Sequence, residues 1–259
     1  MKVGWLLVKK ELLESVRNFK WVWVPLVFLL LGIMDPITTF YMPEILKAGG
    51  VSSEVAKLIE LPSSAEIMAK SLSQFGTLGL LVLSLSFMGT VAAERQSGSA
   101  IMVLSKPVTH TQYVLAKWTG MSIMTLASFG LGLLGSWYYT YLLFEPVAFR
   151  SVLMSFGVFA LWLLFVNTMT LLFSCLLKSQ AGVAFGSLSI AALLTVVAGL
   201  LDRFMQWSPS QLTKQAGEIV LNGQAGGSGL WVAIGTTAAL IVTLLCMAVS
   251  ASKRMWVRA

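Results

Sequence analysis

The chain has 259 residues, of which 57% are hydrophobic and only 11% charged, and it carries a net charge of +7. A soluble domain carries roughly 25% charged residues, so this composition, with a mean hydropathy of +0.82, excludes an ordinary soluble fold and points to a chain built for lipid. A single histidine excludes a histidine-rich metal site, and the two cysteines, Cys175 and Cys246, have neither metal-ligand nor disulfide spacing and read as packing residues.

The first twenty residues, MKVGWLLVKKELLESVRNFK, interleave charged and apolar positions. No clean apolar core or small-residue cleavage site follows the charges, so no cleavable signal is expected and the chain is taken as unprocessed. Trp5, Leu6, Val8, Leu12, Leu13, Val16 and Phe19 recur at helical spacing among Lys9, Lys10, Glu14 and Arg17. This pattern predicts an amphipathic helix lying in the membrane interface before the first span.

Six segments are long and apolar enough to cross a bilayer, near 21–41, 72–93, 118–144, 151–177, 181–201 and 229–251. A spanning helix needs about 20 residues. Only helices and closed barrels satisfy their backbone in lipid, and these runs are too long and uniformly apolar for alternating barrel strands. The expectation is therefore an all-α polytopic membrane protein, residues 1–259 forming a single transmembrane domain.

Asp35-Pro36 lies in the outer half of the first span and predicts a kink or an end there. Asp35 is either an acid at the water interface or part of a transport pathway. In the connection 42–71, Ser63-x-x-Glu66 is a capping-box pattern that starts the helix leading into span two. Ser128, Gly132 and Ser136 in span three, and Gly182-x-x-x-Gly186 in span five, are small residues at spacings that let helices approach closely. Asn167 in span four is a lone intramembrane amide, with packing and pathway both open to it. In the connection 202–228, Ser208-Pro209-x-Gln211 predicts the start of a short helix ending near Asn222-Gly223, and GQAGGSG a flexible connector to span six.

With six spans, both termini share one side. That side holds Lys2, Lys9, Lys10, Arg17, Lys20, Arg95, Lys106, Lys117, Lys178, Lys253, Arg254 and Arg258, against only Glu11, Glu14 and Glu94. The other side holds Lys47, Lys57, Lys70, Arg150, Arg203 and Lys214, with the remaining acids. The bias of basic residues near span ends places both termini in the cytoplasm of a cell-membrane protein. The net charge is mostly this asymmetry and gives no support to nucleic-acid binding.

Familiar site chemistry is missing. The sequence has no G-x-x-x-x-G-K-[ST] phosphate loop, no G-x-S-x-G elbow, no H-E-x-x-H pair and no C-x-x-C. Asp35 is the one ionisable candidate within the spans for an ion relay. If the chain moves something uphill, the energy comes from a partner.

The connection between spans two and three, ERQSGSAIMVLSKPVTHTQYVLAK, is longer than a turn requires. Residues 97–105 can form about two helical turns with an apolar patch of Ile101, Met102 and Leu104; Pro107 ends that helix and Thr109 caps the next. A short apolar helix held between two spans can dock in a groove of a cytoplasmic partner.

This stretch resembles the cytoplasmic motif in permease subunits of ABC transporters of the type-2 exporter class. Glu94 and Arg95 match the family's acid–basic pair, Gly98 its turn, Leu104, Ser105 and Pro107 its Leu-Ser-x-Pro step, and Lys117 the lysine at the next span. KKELLESVRN is similar to the family's N-terminal interfacial helix, with Glu11 and Arg17 in matching places, and the six-span plan agrees. His110 stands where the family has arginine, and a histidine is mostly neutral at pH 7, so a fixed ionic contact there is not carried over.

The resemblance implies an exporter permease without catalytic, cofactor-binding or metal-binding residues of its own. Energy would enter through Glu94, Arg95, Gly98, Ile101, Met102, Leu104, Lys106 and Pro107. Two ABC ATPase subunits, holding ATP and Mg, would dock there, and a second permease chain, identical or homologous, would complete the membrane half. Two other classes stay open at this point. One is a sensor or assembly subunit that binds an ATPase without transport. The other is an ion-coupled carrier or membrane-embedded enzyme using Asp35 and Asn167.

Overall fold

Backbone polar groups in lipid must be satisfied within their own segment, and every regular element among the described residues is a helix. The structure is a computed structural model and describes residues 2–50, 62–98, 108–201, 204–224 and 227–257. Its helices are α1 (Lys2–Arg17), α2 (Lys20–Phe40), α3 (Met42–Ala48), α4 (Ser64–Gln96), α5 (His110–Leu143), α6 (Phe149–Leu176), α7 (Gln180–Leu200), α8 (Gln211–Asn222) and α9 (Ser228–Val257). Six of them, α2, α4, α5, α6, α7 and α9, are long and apolar enough to span a bilayer. The short helix expected over 97–105 falls largely on residues outside those described.

The spans agree with the hydropathy reading except at two starts. α4 begins at Ser64 and α5 at His110, each about two turns before the apolar run. Caps explain both. Ser63 and Glu66 exchange side-chain and backbone hydrogen bonds, as do Thr109 and Gln112. Each box satisfies two otherwise orphaned donors and lets a polar first turn remain helical. The 34 residues of α5 therefore extend about 50 Å at roughly 1.5 Å per residue, well beyond a hydrocarbon core of about 30 Å.

α1 is a separate helix, divided from α2 by Asn18 and Phe19. Phe19 has φ 55°, the one non-glycine residue with positive φ among those described. Only the left-handed region lets the chain leave α1 and start α2 within two residues, at a cost of about 1–2 kcal/mol for a residue with a Cβ. Val8, Lys10 and Glu11 lie on the covered side of α1, which packs on α5, whereas Trp5, Leu6, Leu13, Val16 and Phe19 are exposed. An exposed apolar stripe beside the start of a span is what an interfacial helix presents to lipid.

α2 does not end at Asp35-Pro36. It continues to Phe40 with both Pro25 and Pro36 inside it, because close packing on α5 holds the segment helical where isolated proline would break it. Gly32 and Gly132 make that packing possible. A Cβ on Gly32 would lie 2.0 Å from the Gly132 carbonyl oxygen, and one on Gly132 would lie 2.6 Å from that of Phe28. Among the described residues, the small residues of span five meet no other backbone closely. Cβ atoms on Gly182 or Gly186 would meet only ordinary contacts at 3.6 Å or more.

α6 is the central helix, packed against α4, α5, α7, α8 and α9. Its long run of apolar residues is buried on nearly every side, with Phe159, Trp162 and Leu163 fully enclosed. Phe129 of α5 stacks on Phe159 at 5.0 Å and meets Phe75 of α4 edge-on at 5.4 Å, while Phe75 stacks on Phe28 of α2 at 5.6 Å. This aromatic column joins four helices. It coincides with a π-helical turn at Phe75–Gly79.

α8 starts at Gln211, later than Ser208-Pro209 suggests, and carries no side-chain cap. The serines are engaged elsewhere: Ser208 Oγ pairs with Ser210 Oγ at 2.9 Å, and Ser210 Oγ donates to the Leu194 carbonyl of α7 at 3.0 Å. α8 ends as expected, with Gly223 at φ 70° as its left-handed cap. Leu212, Ala216, Ile219 and Val220 are buried where α8 packs against α4 and α6, so it is a docked part of the bundle.

Gly32→Ala or Gly132→Ala should lower the thermal-unfolding midpoint of the purified chain, since overpacking against backbone costs about 1–3 kcal/mol or more. Gly186→Ala should leave it unchanged. Equal midpoints for all three variants would contradict the assigned α2–α5 contact.

Candidate functional site

The end of the bundle that carries both termini is held by charge. Glu94 lies in the last turn of α4 and is buried. Its Oε1 is 3.0 Å from Lys117 Nζ of α5 and 2.8 Å from Lys10 Nζ of α1. Its Oε2 accepts the Tyr113 hydroxyl of α5. Lys117 also reaches both carboxylate oxygens of Glu11, at 3.1 and 3.2 Å, and sits 5.1 Å from the Tyr113 ring centroid. Three helices far apart in sequence are thus joined through one carboxylate and one ammonium. The Lys117 side chain is only 1% exposed, so its charge depends on these partners.

Glu11, Glu14 and Glu94 bring carboxylate oxygens within 4.8 Å of one another, a spacing that resembles a metal-ligand set. A lysine stands in the place a cation would take. Lys10 Nζ lies 3.1 Å from Glu11, 3.0 Å from Glu14 and 2.8 Å from Glu94. Burial pulls the Lys10 ammonium down, but the Glu11, Glu94 and Glu14 carboxylates outweigh it and hold its pKa above the ordinary lysine value. Its contribution to stability is therefore complete below about pH 10 and is lost only as pH rises through the folded value. Lys10 keeps its charge throughout the physiological range.

The backbone of α4 stays helical through Met88, with φ −52° and ψ −35°, but a side chain enters its hydrogen-bond ladder just before the segment that carries Glu94. Ala92 N and Val91 N donate to Ser174 Oγ of α6 at 3.0 and 2.9 Å, and that hydroxyl donates to the Met88 carbonyl at 3.1 Å. In a regular helix Ala92 N would bond Met88 O directly, so the inserted hydroxyl bridges that bond. Lys20 of α2 donates to the Ser86 carbonyl at 2.6 Å. Beyond this bridge, Arg95 donates to the Cys175 carbonyl at 3.1 Å and Gln96 to the Lys178 carbonyl at 2.7 Å. The last turns of α4 are fastened to the end of α6.

Gly98, at φ 71°, then directs the chain out of α4. Ile101, Met102, Leu104, Lys106 and Pro107 lie outside the described residues. The chain is described again from Val108, and His110 is the partly buried first residue of α5. The Glu94–Tyr113 and Glu94–Lys117 contacts thus tie together the two ends of the connection 99–107.

Of the sequence candidates, Glu11, Glu94 and Arg95 come together here. Arg17 is exposed in the last turn of α1 and stands apart from Glu11. Asp35 belongs to the opposite end, where it is buried and 3.4 Å from Lys70 Nζ of α4, whose side chain is 59% exposed. Asn167 donates to Thr125 Oγ1 of α5 at 2.7 Å, deep in the bundle. Lys10, Tyr113 and Ser174 were not evident from sequence. Tyr113 carried a faint signal, standing one helical turn before Lys117 and so on its face. A serine near the end of a span, such as Ser174, carries none.

A family model described as ABC-2 family transporter protein matches residues 5–206. The chain is also similar to a Bacillus subtilis (strain 168) protein called uncharacterized transmembrane protein YxlG. The two are 34% identical over 257 residues, covering 99% of this chain and 97% of that one.

Lys117→Met removes the ammonium and leaves Glu11 and Glu94 facing each other. Breaking one side of a buried ion pair costs about 3–5 kcal/mol, so this variant should unfold at a clearly lower temperature than the native chain. Tyr113→Phe removes a single hydrogen bond to a charged group, worth about 1.5–3 kcal/mol, and should fall between them. A Lys117→Met midpoint equal to the native one would refute the clamp.

Proposed function

Because this chain belongs to the ABC-2 family of transporter membrane proteins, we propose that it is the permease subunit of an ATP-driven exporter, driven through its 94–117 connection. As a multi-pass member of that family it is a membrane transport component, not itself a catalyst. In this reading both termini are cytoplasmic, which the excess of lysine and arginine at that end supports. Two ATPase subunits with ATP and Mg, together with a second permease chain, complete the assembly.

One observation carries the reading: Ser174 of α6 enters the hydrogen-bond ladder of α4 at Met88–Ala92, and the Gly89–Gln96 segment is bonded to the end of α6. An ATPase docked on the apolar patch of Ile101, Met102 and Leu104 would pull on that segment through Gly98, with Lys106 and Pro107 at the far end of the connection. Glu94 and Arg95 would pass the displacement to α1, α5 and α6. α6 is the helix that most of the bundle packs against, so a small rotation at its end reaches the other spans. In this reading the Ser174 bridge couples the last turns of α4 directly to α6.

Purification of the tagged chain from its native membranes tests the partner directly. A stoichiometric ATPase subunit is expected with the native chain, and Met102→Asp with Leu104→Asp should reduce its recovery by roughly tenfold or more, equivalent to about 1.4 kcal/mol of binding. Undiminished recovery would remove the docking role of this patch. Ser174→Ala should leave the complex assembled but weaken substrate-stimulated ATP turnover, because the inserted hydroxyl that joins α4 to α6 is gone. Binding of an ATPase without any substrate-stimulated turnover would instead favour a sensor.

A further inference from the structure

The ionic network forms one wall of a cavity of about 290 Å³ between α1, α2, α4 and α5. Glu14 and Lys20 line its polar side; Trp23, Leu85, Met88 and Met121 line its apolar side. Lys20 differs from its neighbours. Lys10 and Lys117 are held by carboxylates, whereas the hydrogen bond of Lys20 goes to the neutral Ser86 carbonyl. Among the described residues no carboxylate lies within ion-pair distance of it. Glu14 is the most open acid of the cluster, with its side chain 46% exposed against 14% for Glu11 and 9% for Glu94.

Charge balance narrows the ligand. Of the charged residues that line the cavity, Lys20 and Lys117 oppose Glu11 and Glu14, so its wall is neutral as a whole. An anionic ligand would leave net negative charge beside these carboxylates in a partly desolvated place, which is costly. A zwitterion with separated ends complements Lys20 and Glu14, its cationic end sharing the Glu14 carboxylate with Lys10, 3.0 Å away. Lys20 opens the first turn of α2, beside interfacial α1, which is the depth of lipid headgroups. Leu78, Leu81 and Leu85 are exposed in a row along α4 leading from the cavity toward the middle of the span, and Val22, Leu26 and Leu30 are exposed along α2. Both rows can carry acyl chains.

We propose that this cavity binds the headgroup of a phospholipid bearing one phosphate and one primary ammonium, as in phosphatidylethanolamine, with the phosphate on Lys20 and the ammonium on Glu14. A primary ammonium donates hydrogen bonds to a carboxylate, and a quaternary one cannot. The phosphate competes with the Ser86 carbonyl for Lys20. Because residues from Ser86 to Thr90 line the cavity and Met88 among them is bonded to Ser174, lipid occupancy acts on the turn of α4 that leads to the 94–117 connection.

The test is native mass spectrometry of the full chain delipidated and then titrated with phosphatidylethanolamine, phosphatidylcholine or phosphatidylglycerol. The expected result is retention of phosphatidylethanolamine roughly tenfold above either competitor, about 1.4 kcal/mol. Lys20→Met should abolish that selectivity. Glu14→Gln, which leaves the Lys20–Ser86 bond in place, should bring phosphatidylethanolamine down to the level of phosphatidylcholine. Equal retention of the three lipids by the native chain, or unchanged selectivity in a folded Glu14→Gln variant, overturns the proposal. Displacement of the lipid by soluble phosphoethanolamine at equal concentration also overturns it, since the site would then serve a small zwitterion. The inference rests on Lys20 lying at a membrane edge and needs no ATPase, so its failure leaves the copurification result untouched.

Discussion

The buried ammonium of Lys117 is the constraint around which this end of the molecule is arranged. A lysine at the start of a span can reach toward water along its own helix, but this one turns inward and is enclosed. Enclosure obliges α1 to bring Glu11 and α4 to bring Glu94, because a desolvated cation without partners would be unstable by several kcal/mol. Lys10 follows from the same need, since three carboxylates within 4.8 Å require more than one positive charge. The interfacial helix is therefore a structural member of the bundle as well as a lipid-facing one. Its polar side supplies the ions and its apolar side the exposed Trp5, Leu6 and Leu13.

The clamp lies within a turn of a side-chain insertion into α4. Ser174 replaces a backbone bond of α4 with a bond between helices. The total number of satisfied groups is preserved, yet the mechanical connection changes. The cavity beside Lys20 opens at this same turn of α4.

The opposite end is tied differently. Docked α8 covers α4 and α6, and an ion pair there, Asp35–Lys70, joins a buried carboxylate to a largely exposed ammonium. Between the two ends, Gly32 and Gly132 bring α2 and α5 into backbone contact and the phenylalanine column fills the interior. Neither contact tolerates sliding along the helix axes.

What the sequence by itself determined is what depends on neighbours within a helical turn or on the solvent. Bilayer thickness demands about 20 apolar residues per span, so all six spans were legible. The Ser63–Glu66 and Thr109–Gln112 boxes and the Gly223 cap were legible for the same reason, because donor and acceptor lie within one turn. Tertiary structure decided whatever required knowing which faces meet. Gly132 and Gly186 look alike in sequence, but only Gly132 has another backbone against it. Ser208 and Ser210 fit a helix cap until α7 offers the Leu194 carbonyl. Lys10 and Glu94 are 84 positions apart, and no local pattern marks them as partners. Their pairing follows from packing α1 against α5 beside the end of α4, where an enclosed lysine must be neutralised by whatever acids the fold brings near.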